Sequence, residues 1–130
     1  MKRNFKGFAL IEVVIVVILV SGSFLVFLEA LSQTKTLQVR SEVVSKQTMV
    51  LNQKINQFRA AGFDNVNGIL NYTTVSNNPA FQYSLHVSFV NENLEFISNA
   101  QTDYKLVEVK VRHSSDDYSP IKDIFLMTKK

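Results

Sequence analysis

The chain of 130 residues contains no cysteine, only 2 prolines and only 4 glycines. Without cysteine it can form no disulfide, carry no lipid on a thiol and offer no thiolate to a zinc ion. Neither proline nor glycine occurs across residues 29–59, so nothing there interrupts a helix. No nucleophile motif, glycine-rich phosphate loop or EF-hand spacing is present either. We therefore expect a protein that is not an enzyme and that carries no cofactor.

Charge is almost absent near the N-terminus. Across residues 8–28 the only charged side chain is Glu12, which precedes the apolar run 13–28. A helix of this length spans roughly 30 Å, the thickness of the hydrocarbon core of a bilayer. A carboxylate deep in a bilayer costs on the order of 2.5–3.5 kcal/mol, so Glu12 either lies near the interface or has a cationic partner. Cleavage of the Gly7–Phe8 bond would create such a cation, the α-amino group of Phe8.

Gly7-Phe8 and Glu12, behind a short basic leader and ahead of the apolar helix, resemble the prepilin signal of type IV pilins and type II secretion pseudopilins. The resemblance implies that a prepilin peptidase cuts after Gly7 and N-methylates Phe8. It also implies that Glu12 forms a salt bridge with the amino terminus of a neighbouring subunit during filament assembly. Many major type IV pilins have a disulfide that this chain cannot form, which favours a minor pilin or minor pseudopilin at the priming or tip end of a filament. The implied partners are the peptidase, other pilin or pseudopilin subunits and the inner-membrane assembly platform.

The net charge of +3 comes from the leader. Lys2, Arg3 and Lys6 lie there, and without them basic and acidic side chains balance at 11 each. The pI of about 9.2 is therefore no argument for nucleic-acid binding. The leader charges are expected to hold the N-terminus in the cytoplasm. We predict a single-pass protein of the bacterial inner membrane with its C-terminal domain outside the cytoplasm, which later enters a pilus or pseudopilus.

Three other functions remain open. An ordinary secretory signal peptide fits less well, because the apolar stretch is long, contains a glutamate and lacks a small-x-small cleavage site. A competence-type DNA-uptake pilus subunit would share the assembly mechanism and add a DNA ligand. A signal-anchored periplasmic binding domain or enzyme would retain residues 1–7, and it would need a polar cluster that the sequence does not display.

Beyond the membrane segment 8–28, residues 29–61 are predicted to form an amphipathic helix stem that ends with Gly62 as its C-cap. Apolar residues recur every seven positions along one side of this helix, at Ala30, Leu37, Val44, Leu51 and Phe58. The positions between them on the same stripe are mostly Thr or Ser: Thr34, Ser41, Thr48 and Ile55. The Thr and Ser positions argue against a coiled coil. We expect the end of the stem to pack on the chain's own sheet through Val43, Val50, Leu51, Ile55 and Phe58.

The period changes to two after a linker at residues 62–80, where residues 69–75 could form a short strand. Alternating apolar residues predict strands at 81–89, 107–111 and 121–128, with 94–97 either a short strand or a loop. The predicted fold is α+β, the pilin lollipop: a long N-terminal helix packed on an antiparallel sheet formed by residues 81–130.

Few side chains suggest a ligand. His86 and His113 are expected to be ordinary surface residues. Asp116 and Asp117 are weak candidates for calcium, which prefers oxygen ligands, but a solvated turn explains them as well, and we predict no metal site.

Three basic residues, Lys110, Arg112 and Lys122, could approach DNA phosphates on the predicted sheet. Acidic residues such as Glu108 and Asp123 are interleaved with them, so the sequence contains no continuous basic patch. We expect no nucleic-acid partner.

Overall fold

The computed structural model describes residues 6–98 and 102–129, with the backbone alone for residues 6–9. Helix α1 (Lys6–Ala61) and a 3-10 turn (Phe63–Asn65) precede four strands: β1 (Ile69–Val75), β2 (Asn78–Val90), β3 (Tyr104–His113) and β4 (Ile121–Thr128). The strands pair antiparallel in the order β1-β2-β3-β4, and the helix packs on this sheet. The predicted α+β class is confirmed. The chain divides near residue 40 into two compact units.

Helix α1 ends where the sequence predicts. Gly62 has a φ of 82°, in the left-handed region that glycine adopts without steric cost, and its N–H donates to the Arg59 carbonyl at 3.3 Å. The C-cap prediction at Gly62 is confirmed.

The core lies between the sheet and the last turns of α1. Alternate β3 residues Val107, Val109 and Val111 are fully buried, and β2 and β4 add further side chains to the same face. Buried residues of adjacent strands lie opposite one another: Val107 pairs with Val87 of β2 on one side and with Phe125 of β4 on the other. The period-two pattern therefore predicted the inner face of these strands correctly, because a single residue of slip would have exposed the valines.

The helix contributes the face that the stripe predicts, but only near its end. Val50, Leu51 and Ile55 are buried, whereas the stripe residues Leu37 and Val44 are 66% and 47% exposed. Val43 and Phe58 are partly buried and pack against the same core. The predicted contact face is confirmed, and the earlier part of the stripe does not contribute to the core.

The sheet begins earlier than its predicted start at residue 81. Strand β1 lies within the predicted linker 62–80 and has the bounds 69–75 at which the sequence allows a short strand, and β2 already begins at Asn78. The pairing of β1 with β2 shifts register between Leu70 and Thr73 and again between Thr74 and Val75. These irregularities remove the clean alternation on which a strand prediction depends.

Residues 94–97 follow a turn at Glu92 and Asn93 and form one bridge rather than a strand. The Leu94 N–H donates to the Asn91 carbonyl at 3.0 Å, and Leu94 has a φ of 63°. One isolated bridge joins Val90 to Phe96. The Asn91 side chain organises this turn, because its Oδ1 accepts the N–H groups of Asn93 and Glu95 at 2.9 Å each.

Candidate functional site

The predicted cleavage point lies at the start of α1. The helix begins at Lys6 and includes Gly7 and Phe8, but side chains before Leu10 lie outside the described part of the chain, as do leader residues 1–5. Cleavage after Gly7 and N-methylation of Phe8 remain predictions.

Glu12 is described, and it is exposed on α1. Its neighbours Ile11 and Val13 are each 62% exposed, so the carboxylate projects from an apolar surface. Among the described side chains, the ion pairs join other residues and none includes Glu12. The first compact unit therefore supplies an acidic group without supplying a described cation for it.

The surface around Glu12 is apolar on every side of the helix. Large apolar side chains along residues 13–28 are between 45% and 68% exposed, and successive residues such as Ile15, Val16 and Val17 cover the whole circumference. The most apolar 18-residue segment of this helix has a mean hydropathy of 2.8, and none of that segment is buried. A helix that is apolar all round requires an apolar surrounding. The described chain thus contains one helix apolar enough to cross a membrane.

Gly22 does not interrupt this helix. A Cβ added at Gly22 would meet nothing within 4 Å outside its own helical backbone, and the adjacent Ser23 hydroxyl donates to the Leu19 carbonyl at 2.8 Å within the same helix. Ser23 thereby satisfies its own polar group without a partner outside the helix.

Asp116 and Asp117, the weak calcium candidates, lie exposed in the loop between β3 and β4. Asp117 Oδ2 accepts a hydrogen bond from the Ser115 hydroxyl at 2.8 Å, so it is engaged within its own turn. Across residues 6–98 and 102–129 no group of three or more His, Asp or Glu side chains is arranged to hold a metal ion.

The two histidines have different surroundings. His86 is exposed, but His113 is half-buried between the rings of Phe81 and Tyr118, with centroid distances of 5.2 and 4.9 Å. The Ser115 N–H donates to His113 Nδ1 at 3.0 Å. His113 therefore fixes the start of the β3–β4 loop, a structural role that the surface expectation missed.

The basic residues of the sheet are paired with acceptors. Lys110 lies 2.7 Å and Lys122 3.5 Å from the Glu108 carboxylate. The hydrogen bond from Lys110 is the main cause that lowers the pKa of Glu108, and the same contact raises the pKa of Lys110. Arg112 donates to Gln82 Oε1 at 2.9 Å and stacks on the Tyr72 ring at 4.0 Å.

Lys105 is a structural residue that the sequence interpretation missed. It is only 3% exposed, on the inner face of β3, and its Nζ donates to the carbonyls of Phe63 and Val66 at 2.7 and 3.2 Å and to Asn67 Oδ1 at 2.7 Å. The ammonium also lies 4.0 Å from the centroid of the Phe63 ring. Burial lowers the pKa of Lys105, and the nearby Asp64 carboxylate partly opposes this effect. Its position in line with Val107 and Val109 was the signal available in the sequence.

Gln47 is the second buried polar residue. It is fully buried on α1 between Val43 and Val50, and its Nε2 donates to the Ser119 carbonyl at 3.3 Å. Its Oε1 has no hydrogen-bond partner among the described residues. Gln47 therefore ties the β3–β4 loop to the helix from a position one helical turn from the predicted contact residues Val43 and Val50.

No model of a protein family matches the chain, and neither does any curated protein or solved structure.

Proposed function

We propose that the chain is a minor pilin or pseudopilin, a non-catalytic subunit of a type IV pilus or type II secretion pseudopilus that serves in its priming or tip complex. The observation that carries the proposal is Glu12, the sole charge of residues 8–28, exposed on a helix that is apolar on every side. Gly7-Phe8, one helical turn earlier, provides the bond whose cleavage would generate a cation.

In this proposal the apolar helix first resides in the inner membrane, with the leader in the cytoplasm and the sheet outside. The prepilin peptidase removes residues 1–7 and methylates Phe8. Glu12 then pairs with the amino terminus of an adjacent subunit, at a site shielded from water where the attraction between opposite charges exceeds that at a surface. The helix exchanges lipid for neighbouring helices, which preserve its apolar surroundings.

The first experiment is to measure the intact mass and N-terminal residue of the chain expressed with and without a prepilin peptidase. The proposal expects a product that begins at N-methylated Phe8 only when the peptidase is present, and it expects Gly7→Val to remain uncut. An uncut wild-type chain would support a plain anchor, and a cut near Ala30 would support a secreted domain. Either result would refute the proposal.

The role of Glu12 is tested separately from cleavage. Glu12→Ala is expected to be processed largely as the wild type but to be strongly depleted from filaments, because the amino terminus of the neighbour loses its carboxylate. The matched control is Glu29→Ala, which removes the next acidic residue along α1 and is expected to assemble normally. Normal incorporation of Glu12→Ala, measured as the ratio of filament to membrane protein, would exclude a role in registering subunits.

A further inference from the structure

The two edges of the sheet differ in regularity. Strand β4 pairs with β3 over eight consecutive positions without a register shift. Strand β1, at the other edge, has two shifts, one between Leu70 and Thr73 and one between Thr74 and Val75. Bulges blunt an edge against further pairing, whereas a straight edge remains a template for another strand. Strand β4 is therefore the edge that can accept a further strand.

The backbone groups that face outward from β4 follow from its ladder with β3. The Lys129 N–H donates to the Asp103 carbonyl at 2.8 Å, so the backbone groups at odd-numbered positions of this segment point toward β3. Because hydrogen-bonded positions alternate in an antiparallel pair, the groups at even-numbered positions point away from β3. We call the outward backbone groups of Lys122, Ile124, Leu126 and Thr128 the β4 edge.

Two exposed side chains of opposite charge accompany the β4 edge. Asp123 and Lys129 occupy odd-numbered positions, on the same face of the sheet as the buried Phe125 and Met127. The ion pairs among the described side chains include neither of them. Asp123 Oδ1 accepts the N–H of Ile124 at 2.8 Å, so the carboxylate occupies one outward donor as long as no cation draws it away.

A second copy of this chain can pair with the β4 edge in only a few registers. Hydrogen bonds form only where the outward groups of both copies meet, so even-numbered positions must lie opposite even-numbered ones. In an antiparallel pair of identical strands, the two-fold axis then passes through a residue of β4. Axes at Ile124, Phe125 and Leu126 each leave most of the strand paired.

Charge favours the axis at Leu126. With this axis Asp123 of each copy lies opposite Lys129 of the other, so both exposed charges gain a partner of opposite sign. The other two axes place Asp123 opposite an apolar side chain, Met127 or Phe125. Parallel pairing without an offset would place each charge opposite the same charge. Opposite charges in cross-strand pairs stabilise a sheet and like charges destabilise it, so the antiparallel pair centred on Leu126 is favoured.

Apolar side chains on the face opposite the helix fit the same axis. Leu126 is 45% exposed and lies opposite Leu106 of β3. With the axis at Leu126, the two copies of this leucine meet, and a row of four leucines crosses the joined sheets with a copy of Leu106 at each end. Apolar cross-strand neighbours of this kind stabilise a sheet. The β4 edge is therefore complementary to itself in backbone groups, charge and apolar side chains.

We propose that two copies of this chain associate through the β4 edge, with antiparallel pairing over residues 123–129, Leu126 on the two-fold axis and Asp123 beside Lys129 of the second copy. Lys122 lies outside the paired residues and keeps its contact with Glu108. The pairing uses only residues of the sheet unit, so it does not depend on the proposed function.

The absence of cysteine allows a direct test of the register in the full chain in detergent, because each introduced thiol reports one position. Leu126→Cys is expected to form a disulfide-linked dimer on mild oxidation, since the two copies of residue 126 lie directly opposite each other. Ile124→Cys and Thr128→Cys are expected to link to each other when separately tagged chains are mixed, but not to themselves, because identical positions then lie four residues out of step. Thr74→Cys, on β1, is the control and is expected to remain unlinked.

Charge reversal tests the pairing independently of the thiol positions. Asp123→Lys or Lys129→Asp, each combined with Leu126→Cys, is expected to lower the linked fraction about fivefold or more, because like charges then lie opposite each other twice in each pair. The double reversal Asp123→Lys with Lys129→Asp restores opposite charges and is expected to recover the links.

Three results would overturn the proposal. Links at Leu126→Cys that persist through both single reversals would show association through another surface, such as the apolar helix. Failure of the double reversal to recover the links would exclude the pairing of Asp123 with Lys129. Self-linking that is stronger at Ile124→Cys or Thr74→Cys than at Leu126→Cys would exclude the axis at Leu126.

Discussion

Two polar residues inside the core determine how the loops attach to the sheet. Lys105 holds the segment after α1 through three acceptors, and Gln47 holds the β3–β4 loop through one. Neither contact is visible in the sequence, because each joins residues that are far apart in the chain and because lysine usually lies at a surface. The sequence does show that each of these polar residues lies on an otherwise apolar face. It does not show which groups accept their hydrogen bonds.

We predict that the single substitution Lys105→Met lowers the free energy of unfolding by about 1–3 kcal/mol, because the carbonyl acceptors near the core lose their hydrogen-bond donor. Thermal or denaturant unfolding of the full chain in detergent measures the change. Lys46→Met is the control, because Lys46 is exposed and pairs only with Glu42 on its own helix. Equal effects of the two substitutions would contradict a structural role for Lys105.

At the scale of elements, regular patterns made most of the fold predictable. The C-cap at Gly62 and the strand at residues 121–128 have the predicted bounds because glycine and alternating apolar residues mark them directly. The sequence allows a short strand at residues 69–75 but places the start of the sheet at residue 81, because bulges in β1 disturb the alternation of apolar residues. The sequence also does not indicate how far along the helical stripe the sheet extends. The role proposed for Glu12 stays a prediction from the sequence, because none of the ion pairs among the described side chains includes it.

The stripe on α1 contains one buried and one exposed leucine, Leu51 and Leu37, whose replacement by alanine can be compared directly. Leu51→Ala is expected to lower the free energy of unfolding by about 2–5 kcal/mol, because Leu51 is buried against the sheet. Leu37→Ala, fourteen positions earlier on the same stripe, is expected to change it by less than about 0.5 kcal/mol, because Leu37 is exposed. Denaturant unfolding measured by circular dichroism compares them. A large effect of Leu37→Ala on unfolding would indicate that the core extends further along the helix.

For the whole molecule, the buried core and the exposed apolar surface lie in different parts of the chain. Among the described side chains, every buried apolar residue lies between Val50 and Met127. The large apolar side chains of residues 13–28 are exposed and are not among these buried residues. The buried apolar residues that stabilise the sheet unit therefore all lie within that unit.

This separation predicts that a fragment of residues 40–130 folds in water without detergent, with a cooperative thermal transition close to that of the sheet unit in the full chain. A fragment of residues 56–130 is the control, because it lacks Val50, Leu51 and Ile55 and should not fold. Far-ultraviolet circular dichroism during heating distinguishes the two. A non-cooperative transition in the longer fragment would show that the first 39 residues contribute to the core.

The order of the strands has a consequence for folding during synthesis. Each strand of the meander pairs with the one synthesised just before it, so no strand waits for a distant partner, and closure of the sheet requires only local searches. Strand β4 is the last to be synthesised, and it supplies Phe125 and Met127 to the core. A chain interrupted before residue 121 therefore has β3 as its outer strand and lacks part of the core, so the sheet is complete only when synthesis is nearly finished.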